Sequence, residues 1–354
     1  MSQTCKRLII QTILCACLCL GLSAGAVRAD LAVRWTKTQG PPGGLVKAIA
    51  VNPLNPSVIY LGTASGLYKS ENGGAQWMPV AEGPLAFQEI TALAVDPLHP
   101  EVVYAGSSGG LYRSTDAGAR WINIGGGLGS DMVFCIAIHP AVSDIVYVGM
   151  ERMAFRSLDR GETWAPCGAG LPAANVWSLA IQPAQPQIIY AGTDEGVYIS
   201  ADSGGHWYTA SDGLPPQERV TMLAIDPDSP LLLYAATPQG LFASPDGGAS
   251  WSVCGSDIGL QPASVVLASP LTRGVLYANL GLERLWMTPD GGVTWTPLAE
   301  IEYSQPILTL ALHPQNSKQL YIGAANGFYY SEDQGRSWAR SNDGLVGADV
   351  RQLL

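Results

Sequence analysis

One eight-residue phrase recurs along the chain at an almost constant spacing. Its pattern is Ser or Thr, any residue, Asp or Asn, any residue, Gly, two further residues and Trp, as in "SENGGAQW". Copies start 43 or 44 residues apart, at Ser70, Ser114, Ser157, Ser200, Ser244, Thr288 and Ser331. Such regularity indicates a repeated structural unit, and a period of about 40–45 residues is typical of the blades of a β-propeller.

Each repeat contains four short segments that favour β-strands. In the second repeat, the first segment is the apolar "ITALAVDP" (Ile90–Pro97), and the second (Val102–Ser107) carries a tyrosine found in every repeat. The third (Gly110–Ser114) carries an aromatic residue in every repeat, and the fourth begins at Trp121. β-Branched and aromatic residues between Gly and Pro favour strands. The sequence therefore predicts an all-β, seven-bladed β-propeller of four-stranded antiparallel blades.

Two fragments flank the seven complete repeats. Trp35 resembles the start of a fourth strand that no other strand precedes, and the C-terminal "DVRQLL" resembles a first strand. We interpret them as overhanging ends of a seven-bladed ring. The alternative is a ring of eight blades, one of them incomplete and built from both termini.

The N-terminus has the pattern of a secretion signal. Lys6 and Arg7 precede the apolar run "LIIQTILCACLCLGLSAG", and small residues lead up to Asp30. This pattern predicts a signal peptide over residues 1–29, followed by a single propeller domain over 30–354 without a membrane span. We expect an exported protein, periplasmic or extracellular. A lipoprotein anchored at Cys17 is the alternative.

Charge and cysteine usage narrow the classes of partner. Without residues 1–29 the chain has 16 basic and 29 acidic side chains, a net charge of −13, which disfavours nucleic acid as a partner. Cys135, Cys167 and Cys254 remain, an odd number without the spacing of a disulfide framework. The histidines do not have metal-ligand spacing, and phosphate- and dinucleotide-binding motifs are absent. We therefore expect neither a metal site nor a cofactor.

The residues of the phrase suit a tight turn between the third and fourth strands. A carboxylate can accept backbone N–H groups, a glycine can adopt positive φ, and a tryptophan can bury a large area. The first copy has an asparagine, which keeps the acceptor oxygen but not the charge. We predict a structural role for this set: Asn72, Asp116, Asp159, Asp202, Asp246, Asp290 and Asp333.

The seven phrases resemble the Asp-box, or BNR-repeat, β-propeller family, from Leu45 to Leu345. That family includes sialidases, two-propeller xyloglucanases, the sortilin luminal domain and photosystem II assembly factors, so the resemblance implies a fold and leaves function open. The Arg-Ile-Pro of sialidases is absent, and the xyloglucanases place catalytic acids between two rings where this chain has one. The assembly factors are single exported propellers that bind protein. They carry a basic patch with no obvious equivalent in this acidic chain.

Two functions remain open. The first is an exported, non-catalytic and monomeric scaffold that binds a protein or polysaccharide through its upper face, formed by the loops after second strands and before first strands. The second is a polysaccharide-active glycoside hydrolase, which needs two carboxylates about 5–9 Å apart. No catalytic residue is assigned. The candidates for a carboxylate pair are Asp131, Glu151, Asp194, Glu195, Glu218 and Glu283.

Trp177 points to a binding sector on blades three to five. Eight of the ten tryptophans start fourth strands, and Trp286 replaces the aromatic residue of a third strand. Trp177 has an aromatic equivalent only at Phe134, near the upper end of the preceding first strand. The alternative is that Trp177 packs between blades three and four. The predicted sector comprises Asp131, Glu151, Arg152, Trp177, Asp194, Glu195, Glu218 and Arg219.

Overall fold

A four-stranded sheet with two apolar faces cannot bury both of them alone, so each repeat needs a neighbour on either side. In the computed structural model, seven such sheets pack face to face around a ring. The structure describes residues 44–345 except 81, 82, 84, 130, 256, 257, 282 and 302–304, and the described residues belong to one compact unit.

Each blade consists of four strands that follow one another along the chain and pair antiparallel in that order. Blades 1 to 4 contain β1 (Val46–Val51), β2 (Ile59–Thr63), β3 (Gly66–Ser70), β4 (Met78–Pro79), β5 (Ile90–Val95), β6 (Val103–Ser107), β7 (Gly110–Ser114), β8 (Ile122–Asn123), β9 (Val133–Ile138), β10 (Val146–Met150), β11 (Met153–Ser157), β12 (Ala165–Pro166), β13 (Val176–Ile181), β14 (Ile189–Thr193), β15 (Gly196–Ser200) and β16 (Tyr208–Thr209). Blades 5 to 7 contain β17 (Met222–Ile225), β18 (Leu233–Thr237), β19 (Gly240–Ser244), β20 (Ser252–Val253), β21 (Val266–Ala268), β22 (Leu276–Asn279), β23 (Leu285–Thr288), β24 (Thr296–Pro297), β25 (Ile307–Leu312), β26 (Leu320–Ala324), β27 (Gly327–Ser331) and β28 (Ala339–Arg340).

The predicted all-β fold with seven four-stranded blades is confirmed. The first strand of blade 1, β1, packs beside β5 of blade 2 and beside β25 of blade 7, so the seven blades close the ring directly. An eighth blade would have to lie between blades 7 and 1, where this contact leaves no place for it. Trp35, "DVRQLL", the predicted signal peptide and Cys17 lie outside the described residues.

The strand boundaries differ from the sequence prediction mainly in the fourth strand. We call the repeated eight-residue phrase the box. Each fourth strand is only two residues long and begins one residue after the tryptophan of the box. The reason is visible at Trp207 and Trp251, whose backbone N–H groups donate to Ala169 and Asp212 of the preceding blade. Because the tryptophan amide is used between blades, it does not join the ladder of its own blade.

Close packing between blades depends on a glycine near the end of the second strand. A Cβ atom added at Gly106 would lie 2.7 Å from a methyl carbon of Val133, on the first strand of the next blade. At Gly192 the same addition would lie 2.8 Å from the carbonyl oxygen of Val220. The absent side chain therefore lets these first strands approach the preceding blade, whereas blades 5 and 6 have Ala236 and Asn279 at this position. Apolar and aromatic residues fill the interfaces around this contact.

Tyrosines of the second strands connect neighbouring blades. The hydroxyl of Tyr60 donates to the carbonyl oxygen of Ala117 in the next blade at 2.9 Å, and Tyr234 donates to Gly291 at 2.9 Å. Tyr321, in blade 7, occupies the same position, but its buried hydroxyl has no hydrogen-bond partner. This interblade contact is therefore not made identically around the ring.

The cysteines within the described ranges, Cys135, Cys167 and Cys254, are free thiols. Burial raises the pKa of the Cys135 and Cys167 thiols to about 12, which disfavours their thiolate forms. In the part of the chain that the structure describes, no helix is long and apolar enough to cross a membrane.

Candidate functional site

The repeated phrase forms a compact hydrogen-bonded turn. In blade 2, the Ser114 hydroxyl donates to Asp116 Oδ1 at 2.8 Å, and the Gly118 amide donates to Ser114 Oγ at 2.8 Å. Asp116 Oδ1 also accepts the Arg120 N–H at 2.8 Å. Asn72 accepts the equivalent N–H of Gln76 with its amide oxygen. In both blades this position supplies an acceptor oxygen to the turn, and the structural role of the set stays a prediction.

Hydrogen bonding also lowers the pKa values of the box carboxylates. A hydroxyl donated by Thr163, Thr288 or Ser337 is the largest cause at Asp159, Asp290 and Asp333, and each carboxyl has a pKa of about 2. The pKa values of Asp116, Asp202 and Asp246 are lowered as well. These carboxylates are held ionised, which does not suit a general acid.

A channel runs along the axis of the ring. Its volume is about 830 Å³, and the first strands of all seven blades line it. At the mouth, Lys47 forms an ion pair with Glu89 of the next blade. Below the mouth the lining is largely aliphatic, with Ile49, Leu93 and Leu179 among its residues. The mouth is therefore polar and aromatic, and the channel beneath it is apolar.

Four side chains meet at one side of the mouth, and we call Phe134, Trp177, Asp194 and Arg219 the Trp177 cluster. The rings of Phe134 and Trp177 lie 4.3 Å apart between centroids, tilted by 39°. The guanidinium of Arg219 lies over the Trp177 ring at 5.1 Å. Asp194 Oδ1 accepts hydrogen bonds from Trp177 Nε1 and Arg219 Nε, both at 2.8 Å. Three blades, the third to the fifth, contribute to this cluster.

The cluster holds Arg219 in a defined orientation while leaving it accessible. Its side chain is 52% exposed, and that of Asp194 is 27% exposed. Stacking on an indole and pairing with a carboxylate both limit the conformations of the guanidinium, so less entropy is lost when a ligand binds. The outer N–H groups of Arg219 can then donate to a carbonyl or carboxylate oxygen of a ligand.

The other predicted sector residues do not join the cluster. Glu218 is buried, and its carboxylate accepts the backbone N–H of Gln239 at 3.0 Å and the Gln239 side-chain amide at 2.5 Å. It therefore fixes the hairpin between β18 and β19. The remaining members are exposed on the upper-face loops and, among the described contacts, bond to none of the four cluster residues: Asp131, Glu151, Arg152 and Glu195.

Two residues at the mouth, Lys47 and Glu89, were not among the predicted site residues. Lys47 occupies the repeat position of Trp177, so its exceptional charge was a signal that could have been used. Its partner Glu89 directly precedes β5. Phe87, in the upper-face loop before β5, is 91% exposed and has a φ of 65°. The sequence does not predict this left-handed conformation.

Three of the carboxylates proposed for a hydrolase have separate surroundings. Asp194 is bonded to Trp177 and Arg219, Glu218 is bonded to Gln239, and Glu283 lines a separate pocket on blade 6. Within the described ranges, no group of three or more His, Cys, Asp or Glu side chains is arranged to hold a metal ion.

Comparisons with known proteins relate the chain to solved structures alone. No protein-family model matches the sequence, and no curated protein does. A GH74 xyloglucanase from Xanthomonas campestris superposes with a TM-score of 0.71 at 18% identity, covering 86% of this chain and 55% of the other. YCF48 bound to D1 peptide gives 0.66 at 15% identity, covering 83% and 95%. YCF48 from Cyanidioschyzon merolae gives 0.61 at 13% identity, covering 82% and 96%.

These similarities establish the β-propeller fold and do not assign a family. The chain spans about half the length of the GH74 xyloglucanase and nearly the full length of the YCF48 structures. Membership of the Asp-box family stays a prediction from the repeated phrase. The neighbours include both glycoside hydrolases and YCF48, so the fold is compatible with either function.

Proposed function

We propose that the protein is an exported, non-catalytic binding or assembly scaffold whose ligand contacts the mouth of the channel. The Trp177 cluster carries the proposal, because it presents an exposed guanidinium fixed over an aromatic ring. Tryptophan and arginine are the residue types that most often dominate the energy of protein contact surfaces. A segment of a partner protein is the ligand that we favour, and a polysaccharide is the alternative ligand.

The solved neighbours support a binding role in different ways. YCF48 was solved with a D1 peptide, which is the precedent for peptide binding by a single propeller of this size. The GH74 structures are xyloglucanases and motivate the alternative function, a polysaccharide-active glycoside hydrolase. Against the alternative, Asp194 accepts three hydrogen bonds and Glu218 accepts two, all from neighbouring side chains or backbone amides. Carboxylates engaged in this way are poorly placed for acid and base chemistry.

The binding role is tested by quantitative capture of envelope proteins with the immobilised propeller, followed by direct titration of each captured protein. Arg219→Ala and Trp177→Phe should weaken binding of the true partner by about tenfold, the effect of losing one charge-assisted contact. Arg336→Ala, an exposed arginine in the box of blade 7, is the matched control and should bind like the wild type. Equal binding by all four proteins would place the contact surface elsewhere.

Hydrolysis is tested on the same preparations by measuring the release of reducing ends from xyloglucan and from cellulose. The binding proposal expects no release above the level of buffer. Release by the wild type that Asp194→Asn or Glu218→Gln abolishes, without a change in thermal stability, would establish the hydrolase instead.

Export belongs to the same proposal. N-terminal sequencing of the protein from the envelope or medium should begin near Asp30. A form beginning with a lipid-modified Cys17 would support the lipoprotein alternative, and an intact Met1 form confined to the cytosol would contradict export.

A further inference from the structure

The upper face of blade 6 departs from the other six repeats. Elsewhere two residues connect the second and third strands, as between β2 and β3, whereas β22 ends at Asn279 and β23 begins at Leu285. The third-strand aromatic position, a Tyr or Phe in the other blades, is Trp286. Trp286 is partly exposed, as is its equivalent Tyr198, whereas Tyr112 and Tyr329 are buried. When the other units of a repeat array are nearly identical, a blade that departs from them is a candidate for a specific binding site.

The alteration creates a pocket of about 620 Å³, separate from the central channel. We call it the blade-6 pocket. Its lining includes Gln261, Leu280, Glu283, Arg284, Trp286 and Glu300. It is smaller than the channel and is contributed by the loops around a single blade, so a compact ligand suits it better than a protein segment.

The polar groups of the pocket include donors without acceptors. Arg284 donates to Glu300 through Nη2, but its Nε and the Nε1 of Trp286 are buried and have no hydrogen-bond partner. Buried donors in proteins are nearly always paired, so these two indicate an incomplete hydrogen-bond network. Gln261 is held in place because its side-chain amide donates to the carbonyl oxygen of Ile258 at 3.0 Å.

The charges of the lining select against an anionic ligand. Glu300 neutralises Arg284, and Glu283, which is exposed, leaves the pocket with a net negative charge. A carboxylate or phosphate would meet repulsion there. A neutral hydroxylated ligand could accept from the outer N–H groups of Arg284, whose side chain is partly exposed, and donate to Glu283, with its apolar face against the indole.

We propose that the blade-6 pocket binds a neutral sugar residue, with Trp286 as the apolar platform and Arg284, Glu283 and Gln261 as hydrogen-bonding groups. The site lies on a different blade from the Trp177 cluster, and the inference does not rest on the proposed function. Either site can fail its test while the other passes.

The experiment uses the full chain labelled with fluorotryptophan and followed by fluorine NMR. Trp286→Tyr and Trp177→Phe assign the two relevant signals. The probes are cellotetraose, maltotetraose and mannotetraose as neutral sugars and trigalacturonate as the anionic one. We expect at least one neutral sugar to shift the Trp286 signal saturably and leave the Trp177 signal in place. Trigalacturonate should shift neither.

Variants then test the assigned groups. Glu283→Gln should raise the apparent dissociation constant of the neutral sugar about tenfold, because one charge-assisted hydrogen bond is weakened. Glu195→Gln, an exposed carboxylate on the upper face of blade 4, is the matched control and should have no effect. Trp286→Tyr restores the aromatic residue of the other repeats, so the blade should stay folded while sugar binding is lost.

Three results would overturn the inference. The first is a Trp286 signal that none of the neutral sugars shifts. The second is tighter binding of trigalacturonate than of the neutral sugars. The third is a sugar affinity that Glu283→Gln and Trp286→Tyr both leave unchanged. Capture of a partner protein through the Trp177 cluster should be the same for Trp286→Tyr and wild type, so the two proposals are separable.

Discussion

At the scale of single residues, the repeated aspartate supplies hydrogen-bond acceptors to a turn. Asp116 Oδ1 accepts the Arg120 amide and the Ser114 hydroxyl, both at 2.8 Å. Both bonds replace bonds to water, so their net contribution to stability is small, although leaving the amide without any partner would cost more. Asn72 makes the same amide contact at 2.9 Å without a charge. The turn therefore depends mainly on the acceptor oxygen.

Replacing Asp116 tests this dependence. Asp116→Ala should lower the free energy of unfolding by about 1–2 kcal/mol, because the turn amide and the Ser114 hydroxyl lose their acceptor. Asp116→Asn should cost less than half as much, since it reproduces the arrangement of blade 1. Urea denaturation of both variants measures the difference. A folded and equally stable Asp116→Ala that has lost a specific activity would contradict the structural role.

Asp333 allows a test of how much the charge of a box carboxylate contributes to the stability of the fold. Its pKa in the folded protein is about 2, against an ordinary value of 3.8, because of hydrogen bonds led by the one from the Ser337 hydroxyl. The unfolded chain therefore takes up the proton first as the pH falls. The stabilisation from this carboxylate is complete above its ordinary pKa and is lost between pH 3.8 and about 2.

The measurement is the free energy of unfolding against pH for the wild type and Asp333→Asn. The advantage of the wild type should shrink as the pH falls from 3.8 towards 2. The control is Asp228→Asn, an exposed aspartate outside the boxes. A difference between wild type and Asp333→Asn that stays constant through this window would show that the carboxylate is not held ionised by the turn.

The spacing of the phrase locates the turn residues but not all of their partners. The spacing identified the Asp, the Gly and the Trp of every box. The serine at the start was read only as part of the phrase, yet Ser114 Oγ donates to Asp116 and accepts from Gly118. A hydroxyl that both donates and accepts across the turn becomes recognisable only when the chain has folded back on itself.

At the scale of strands and blades, the sequence repeat predicted the strands because equivalent side chains are buried in each blade. The third strand Gly110–Ser114 was predicted with its observed bounds, and the first strand was predicted two residues too long at Pro97. The fourth strand was predicted from Trp121, whereas β8 begins at Ile122. Its start is decided by contacts with the preceding blade, which a pattern within one repeat does not contain.

The candidate site was only partly predictable for the same reason. Trp177 stood out because it breaks the repeat, and the structure brings Asp194 and Arg219 to it. Glu218, next to Arg219 in the sequence, turns instead to Gln239. Neighbouring loop residues point to opposite sides of the backbone, and no periodic pattern fixes which side faces the mouth.

The second-strand tyrosines allow a matched test of contacts between blades. Tyr60 and Tyr321 are both fully buried, but only Tyr60 has an acceptor, the carbonyl oxygen of Ala117. Tyr60→Phe should lower the free energy of unfolding by about 1 kcal/mol, because it leaves that carbonyl without its donor. Tyr321→Phe should be neutral or stabilising, because it removes a buried hydroxyl that has no partner.

Chemical denaturation of the two tyrosine variants under identical conditions gives the comparison. Phenylalanine keeps the ring contacts in both, so the hydroxyl is the only group that differs. If Tyr321→Phe is as destabilising as Tyr60→Phe, then Tyr321 finds an acceptor in solution and the interblade contact is the same around the ring.

At the scale of the whole molecule, stability depends on seven interfaces closing on one another. Blade 7 meets blade 1 through Trp77, whose backbone N–H donates to Asp343 at 2.8 Å and whose indole N–H donates to Ser341 at 2.9 Å. At an interface within the chain, Trp251 donates to Asp212 at 2.8 Å and to Ala210 at 2.7 Å. In its tryptophan contacts, the closing interface therefore repeats the geometry of an internal one, although the Tyr321 hydroxyl of blade 7 has no partner there.

This equivalence predicts equal effects of the same substitution at the two interfaces. Trp77 and Trp251 are 3% and 5% exposed, so either change to alanine removes a large buried side chain and one interblade hydrogen bond. Trp77→Ala and Trp251→Ala should each lower the free energy of unfolding by about 3–5 kcal/mol. The two values should agree within about 1 kcal/mol, as measured by denaturation with tryptophan fluorescence and circular dichroism in parallel. If Trp77→Ala costs much less than Trp251→Ala, the ring is held shut by something other than the blade 7 to blade 1 interface, and the closure described above is not what stabilises the propeller.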